Sequence, residues 1–201
     1  MHYGNLMAKE IELPIYGVNP EIARERLASI GAKPLGKHQF RRVNFQVRKP
    51  IEDASGEYYT KWIRVRTDGA KSTITLKEQK GKGIEGRLEY EVEVSDFEQA
   101  VKIVHRLMPE AEFDYFENYR EEYSLGEFTI ELDKFPMLEY SMEIEGPSEE
   151  SVRELYRKMG TGGVIEDNKS IPTEEYYRIH GSDYSKLQES YADTITSLLS
   201  D

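Results

Sequence analysis

The chain has no cysteine. That removes disulfides, thiolate nucleophiles and cysteine-ligated metals, and it favours a reducing compartment, so a cytoplasmic location is expected. No apolar run is long enough to cross a bilayer, and no signal-peptide pattern is present. Basic residues are in the minority: 27 Lys and Arg against 38 Asp and Glu give a net charge of −11. Such a balance argues against nucleic-acid binding through a basic surface, but not against a small anion in a local cationic pocket. His2, His38, His105 and His180 show no metal-ligand spacing and read as surface or packing residues. Tandem repeats and low-complexity segments are absent. The 201 residues, 38% hydrophobic and 32% charged, suit one folded domain with a modest core.

What the sequence does have is alternation. "KWIRVRTDGAKSTITLKEQ", residues 61–79, reads as a hairpin turning at "TDGAKS", with Arg64, Arg66, Lys77, Thr73 and Thr75 on its polar faces. "GRLEYEVEV" places Arg87, Glu89, Glu91 and Glu93 on one strand face and Leu88, Tyr90, Val92 and Val94 on the other. Further strands are expected at "KEIELPI", at residues 38–48, at 115–125 and 127–133, and at "YSMEIEG". Between them, Asn19 and Pro20 start a helix that ends at Gly31, with Ile22, Ala23, Leu27 and Ile30 as its apolar stripe. "SDFE" at 95–98 reads as a capping box for a second helix, and a third is expected over 148–159. Residues 1–7 read as a flexible leader, 8–181 as the domain, and 182–201 as a tail carrying an amphipathic helix over 184–199. That helix docks on its own barrel or on a second subunit, which leaves a homodimer open. About eight mostly antiparallel strands with inserted helices make an α+β fold.

The apolar strand faces are needed to cover the amphipathic helices, so the charged faces look either into bulk water or into a lumen. Eight strands suffice to close a small barrel. The signs are sorted by strand: Arg64, Arg66 and Lys77 stand against Glu10 with Glu12, Glu131 with Asp133, and Glu143 with Glu145. An open polar sheet face is one reading; a polar-lined tunnel is the other. Fixed Arg and Lys hold phosphate oxygens, and clustered carboxylates hold a hard divalent cation. Together they describe a metal-dependent polyphosphate site.

With these residues placed, the ordered set "EIE", "IRVR", "TLK", "RLEYEVEV", "NYREEY", "IELD", "MEIEG" and "NKS" resembles the CYTH superfamily, the triphosphate tunnel metalloenzymes. That resemblance implies an eight-stranded antiparallel closed β tunnel with flanking helices, Mg²⁺ or Mn²⁺, and a small-molecule triphosphate substrate. By position it implies metal-binding roles for Glu10, Glu12, Glu143 and Glu145. Arg64, Arg66, Lys77, Arg87, Arg120 and Lys169 would hold phosphate, and Glu89, Glu91 and Asp133 would be the catalytic lumen acids. Triphosphate hydrolysis is the first expected activity. A class IV adenylate cyclase forming cyclic AMP and pyrophosphate is the second, and a non-catalytic polyphosphate- or nucleotide-binding module the third. Two positions depart from the family pattern: Pro14, where a lysine closes the opening motif, and Asn118, where a basic residue precedes Arg120 by two. Slow turnover is the expected consequence.

Overall fold

The computed structural model describes residues 8–52, 58–81, 87–166 and 173–200. The sequence-predicted leader and Lys169 with Ser170 lie outside them, as do the side chains of Glu10 and Arg87. In chain order the elements are β1 (Ala8–Glu10), β2 (Glu12–Tyr16), α1 (Pro20–Ser29), β3 (Lys33–Glu52), β4 (Tyr58–Thr67), β5 (Ser72–Lys80), β6 (Arg87–Val94) and α2 (Phe97–Leu107). There follow β7 (Phe113–Leu125), β8 (Phe128–Lys134), β9 (Tyr140–Glu145), α3 (Glu149–Met159), β10 (Val164–Ile165), α4 (Thr173–Ile179), α5 (Tyr184–Ser190) and α6 (Ala192–Leu199).

All strands lie in one sheet, ordered β1-β6-β5-β4-β3-β7-β8-β9-β2-β10. Each pairing is antiparallel. β1 and β2 are separated by Ile11 alone, yet β1 pairs with β6 and β2 with β9. One N-terminal segment therefore joins both edges, β6 and β9, of an otherwise seven-stranded sheet and closes it, which also removes those edges. The sequence reads as one strand over this stretch; the structure divides it.

Burial decides between an open face and a lumen. On β5 it is the polar set that is buried: Thr73 is 5% exposed, Thr75 0%, Lys77 6% and Gln79 5%. An open polar face would show the reverse, so these side chains face inward.

The apolar faces point out and are covered by helices. α1 and α3 bring Ala23, Leu27, Val152, Leu155 and Met159 onto Leu13, Ile15, Ile130, Leu132, Met142 and Ile144. α2 and α6 cover Val43, Phe45, Val65 and Tyr115 on the other side. A third cluster, Phe116, Leu138, Tyr177 and Leu187, is built from β7, the β8–β9 loop, α4 and α5.

Local signals set the helix limits. Asn19 accepts from the Ile22 amide and Pro20 opens α1. Ile22, however, is exposed, so it leaves the expected apolar stripe. α2 is capped by Asp96, one residue later than the "SDFE" box suggests. α3 carries a Ser148–Ser151 capping box and ends on Gly160 at φ +57. The tail contains two short helices, α5 and α6, rather than one long one, divided at Tyr191.

One ion pair ties α1 to the barrel wall. Glu121 on β7 is 1% exposed. It accepts from Arg24 Nη2 at 2.7 Å and Nε at 3.1 Å, and from the Tyr123 hydroxyl at 2.9 Å. Burial alone would raise the Glu121 pKa, but the Arg24 and Tyr123 hydrogen bonds outweigh it and hold the group below its ordinary value. A carboxyl with a depressed native pKa contributes stability above its unfolded pKa and loses it as pH falls. We expect Glu121→Gln to lower unfolding stability by about 2 kcal/mol at pH 7. Denaturant titrations should show that deficit shrinking below about pH 4.5; a pH-independent deficit would assign the loss to packing.

Candidate active site in the tunnel

The lumen is assembled by register. Trp62, Lys77 and Glu89 lie side by side across β4, β5 and β6, as do Arg64, Thr75 and Glu91, and then Arg66, Thr73 and Glu93. The Lys77 ammonium contacts Glu89. Arg64 Nη2 lies 3.9 Å from Glu89 Oε2 and 3.8 Å from Glu91 Oε2, and the Thr75 hydroxyl donates to Glu91 at 2.7 Å. Arg66 stacks on Phe40, 4.5 Å from the ring centre. Burial first, then Arg64 and Arg120, pull the Arg66 pKa down to about 10.

Across the lumen, Arg120 on β7 grips Asp133 on β8 with Nε–Oδ1 at 2.9 Å and Nη2–Oδ2 at 2.6 Å. It also contacts Glu131 and comes within 4.0 Å of Glu143. Burial opposes this charge, but the surrounding carboxylates win and hold the Arg120 pKa above its usual value. Asp133, 2% exposed, also accepts from Asn118 Nδ2 at 2.7 Å. With its oxygens so committed, Asp133 orients Arg120.

The acids gather on β2, β8 and β9. Glu12 pairs in register with Glu145, which neighbours Thr129, while Glu131 neighbours Glu143. Ligand oxygens of Glu131, Asp133 and Glu143 lie within 4.8 Å of one another, a group able to hold a metal ion. Burial pushes the Glu131 carboxyl up to about 7 against the pull of Arg120, with Glu143, Asp133 and Glu12 adding to the rise. Glu145 is likewise raised, by burial and then by Glu12, Glu89 and Glu143. One chamber of about 280 Å³ is lined by six carboxylates (Glu12, Glu89, Glu91, Glu131, Glu143, Glu145) and four cations (Arg64, Arg66, Lys77, Arg120). A divalent cation would offset that crowding of negative charge, so the donor set fits one.

A second chamber of about 290 Å³ adjoins the first and shares Arg64, Lys77, Arg120 and Glu143 with it. Its walls include Trp62, Phe116, Phe135, Tyr16, Tyr176 and Tyr177. α4 is fixed against it by Asp114, which binds the Thr173 hydroxyl at 3.2 Å and that of Tyr184 in α5. Tyr176 donates to Glu166 at 2.7 Å.

Thus the described side chains of the sequence-predicted set, Glu12, Arg64, Arg66, Lys77, Glu89, Glu91, Arg120, Asp133, Glu143 and Glu145, line one connected lumen. Glu10 and Arg87 are opposite one another by backbone register; Lys169 lies outside the described residues. Pro14 is opposite Glu143, and its carbonyl accepts from the Glu166 amide on the β10 side. A strand residue's N–H and C=O point the same way, so the donor that proline lacks would face β10, not β9. Sequence reasoning placed Glu131 on an acidic lumen face without a metal or catalytic role of its own, and missed Arg42, Trp62 and the aromatic chamber. Glu131 shared the alternation of its strand, a signal that was present; what it lacked was the register that sets it beside Glu143.

Glu131 carries a pH consequence. A carboxyl ionising near 7 in the fold and near 4.5 when unfolded holds a proton that the unfolded chain has lost between those values. Its contribution is therefore complete below about pH 4.5 and vanishes as pH rises through about 7. In chelator-treated protein, we expect unfolding stability to decline across that window and Glu131→Gln to flatten the decline. An unchanged slope in the variant would place the titration elsewhere.

Comparison with known proteins agrees with this geometry. Residues 55–169, more than half of the chain, match the CYTH domain. No curated protein matches. Among solved structures, the PH1012 protein of Pyrococcus horikoshii is 26% identical with a TM-score of 0.65, covering 80% of this chain and 96% of its own. A Bacillus halodurans protein named as a proposed adenylate cyclase is 19% identical (TM-score 0.53, 82% and 97% covered). A Hippeastrum protein named as a proposed adenylyl cyclase with a dominant triphosphatase activity is 21% identical (TM-score 0.54, 86% and 96% covered). The last two support the fold alone. With its closed lumen of opposed guanidinium and carboxylate walls, the chain belongs to the CYTH domain family.

Proposed function

We propose that this protein is a divalent-metal-dependent triphosphatase acting on a small triphosphate inside the tunnel. The observation that carries the reading is the opposition, in one chamber, of Arg64, Arg66, Lys77 and Arg120 to Glu12, Glu131, Glu143 and Glu145. Glu12, Glu143 and Glu145, with Glu131 beside them and Glu10 as implied by the family resemblance, would hold Mg²⁺ or Mn²⁺. When bound, that ion would supply positive charge to neutralise the phosphates. The cationic wall holds the remaining oxygens and stabilises charge developing on the leaving phosphates. Glu89 and Glu91 hold Lys77 and Arg64 in place and offer carboxylate oxygens to orient water. Attack of that water on the terminal phosphorus breaks its bond to the bridging oxygen and releases orthophosphate.

A specific observation favours a second reading. The adjoining chamber carries Trp62, Phe116 and Tyr176, apolar surface for an organic group attached to the phosphates. Adenine there would suit a class IV adenylate cyclase, in which the ribose 3′-hydroxyl attacks the α-phosphorus and pyrophosphate leaves.

Incubation with tripolyphosphate or ATP and Mg²⁺ or Mn²⁺, followed by product identification, separates these readings. Orthophosphate is expected; cyclic AMP with pyrophosphate would establish the cyclase instead, and tight binding without products a binding module. Glu145→Gln should reduce metal-dependent turnover by about a hundredfold or more. Wild-type turnover in that variant would remove Glu145 from the metal set.

A further inference from the structure

Arg42 on β3 is 7% exposed, and among the described residues no carboxylate makes an ion pair with it. Its Nη2 donates to the neutral side chain of Asn118, and its Nε has no hydrogen-bond partner. Around it stand the Phe40 and Phe135 rings, 5.9 Å and 5.2 Å from its guanidinium carbon. Burial pulls its pKa down to about 9, with Arg120 and Arg64 adding to the fall. Asp133 opposes that fall only in part, and a buried guanidinium with no ion-paired carboxylate is unfavourable unless something outside the chain supplies the counter-charge.

The position says what that something is. Arg42 lines the aromatic chamber together with Arg64 and Arg120, and those two arginines also line the carboxylate chamber. An anion at Arg42 is therefore contiguous with phosphates held by the cationic wall. Pro14, which offers no charge, lines the same chamber as Arg42. Asn118 accepts from Arg42 and donates to Asp133, so a cation at 118 would repel both Arg42 and Arg120.

We propose that Arg42 is a substrate-binding residue, whose guanidinium takes phosphoryl oxygens of the triphosphate where the two chambers meet. The inference rests on the triphosphate reading of the tunnel. It places the cation that positions 14 and 118 lack on a different strand, one from which the sequence motifs draw no ligand.

Calorimetric titration with inorganic tripolyphosphate in chelator, where no turnover intervenes, tests it. Arg42→Met should weaken binding by about tenfold or more. The free variant should melt no lower than wild type, since what it loses is a buried charge with no ion-pair partner. Adding Pro14→Lys to Arg42→Met should recover part of the affinity. Should the methionine variant fail to fold, Arg42→Gln, which keeps a donor for Asn118 and removes only the charge, is judged by the same tenfold criterion. Wild-type affinity in the folded variant, with or without a lowered melting temperature, makes Arg42 structural and overturns the inference alone. A wild-type protein that does not bind tripolyphosphate, with or without Mg²⁺, overturns the triphosphate reading together with it.

Discussion

Closure of the sheet through Ile11 sets the conditions under which every charged residue of this protein operates. Because β1 and β2 meet opposite edges, the polar faces of the strands look into a lumen and not across an open face into bulk water. Charges that would be interchangeable decoration on an open sheet lie within a few ångströms of one another at reduced dielectric, where their mutual energies are several-fold larger. Lys77 with Glu89, and Arg120 with Asp133, answer that constraint within the chain. Glu131 and Arg42 do not have it fully answered: one is pushed toward its neutral form, and for the other the pull of Asp133 does not offset burial and the neighbouring arginines. A bound metal ion and a bound anion would resolve both imbalances together.

The exterior follows from the same inversion. Apolar side chains point outward from the barrel, so the core lies between barrel and helices, in two large clusters and a smaller third. The lumen is thereby relieved of stabilising the fold by apolar packing. Its residues can be selected for ligand charge, while Arg24–Glu121 and the helix stripes hold the barrel in shape.

Much of this was legible in the sequence, for a physical reason. Alternation on β5 and β6 is unbroken, so "STITLKEQK" and "RLEYEVEV" declare their faces. The ordered charged motifs then separated a lumen from a solvated face. β3 was harder. In "FRRVNF" the two arginines point opposite ways: Arg41 lies over Phe97 outside, and Arg42 lies inside with Phe40. An aromatic residue on the charged face hides the period. The Glu131–Asp133–Glu143 group depends on β8–β9 register, which no single strand encodes. The break at Tyr191 was invisible because the apolar spacing continues across it, and tertiary contacts of Tyr191 with Tyr115 override it.

The division of the N-terminal strand also orders assembly in time. Residues 12–16 find partners near position 143, a separation much longer than those of the hairpins and of the β3–β7 pairing between. Contacts so distant in sequence close late, because the entropy of joining a long loop has to be met before the contacts repay it. Until then the barrel is an open, hydrated sheet, and its arginines and glutamates can be laid side by side with water still screening them. Desolvation is deferred to the final step, when a short N-terminal segment seals a lumen whose charges are already in register.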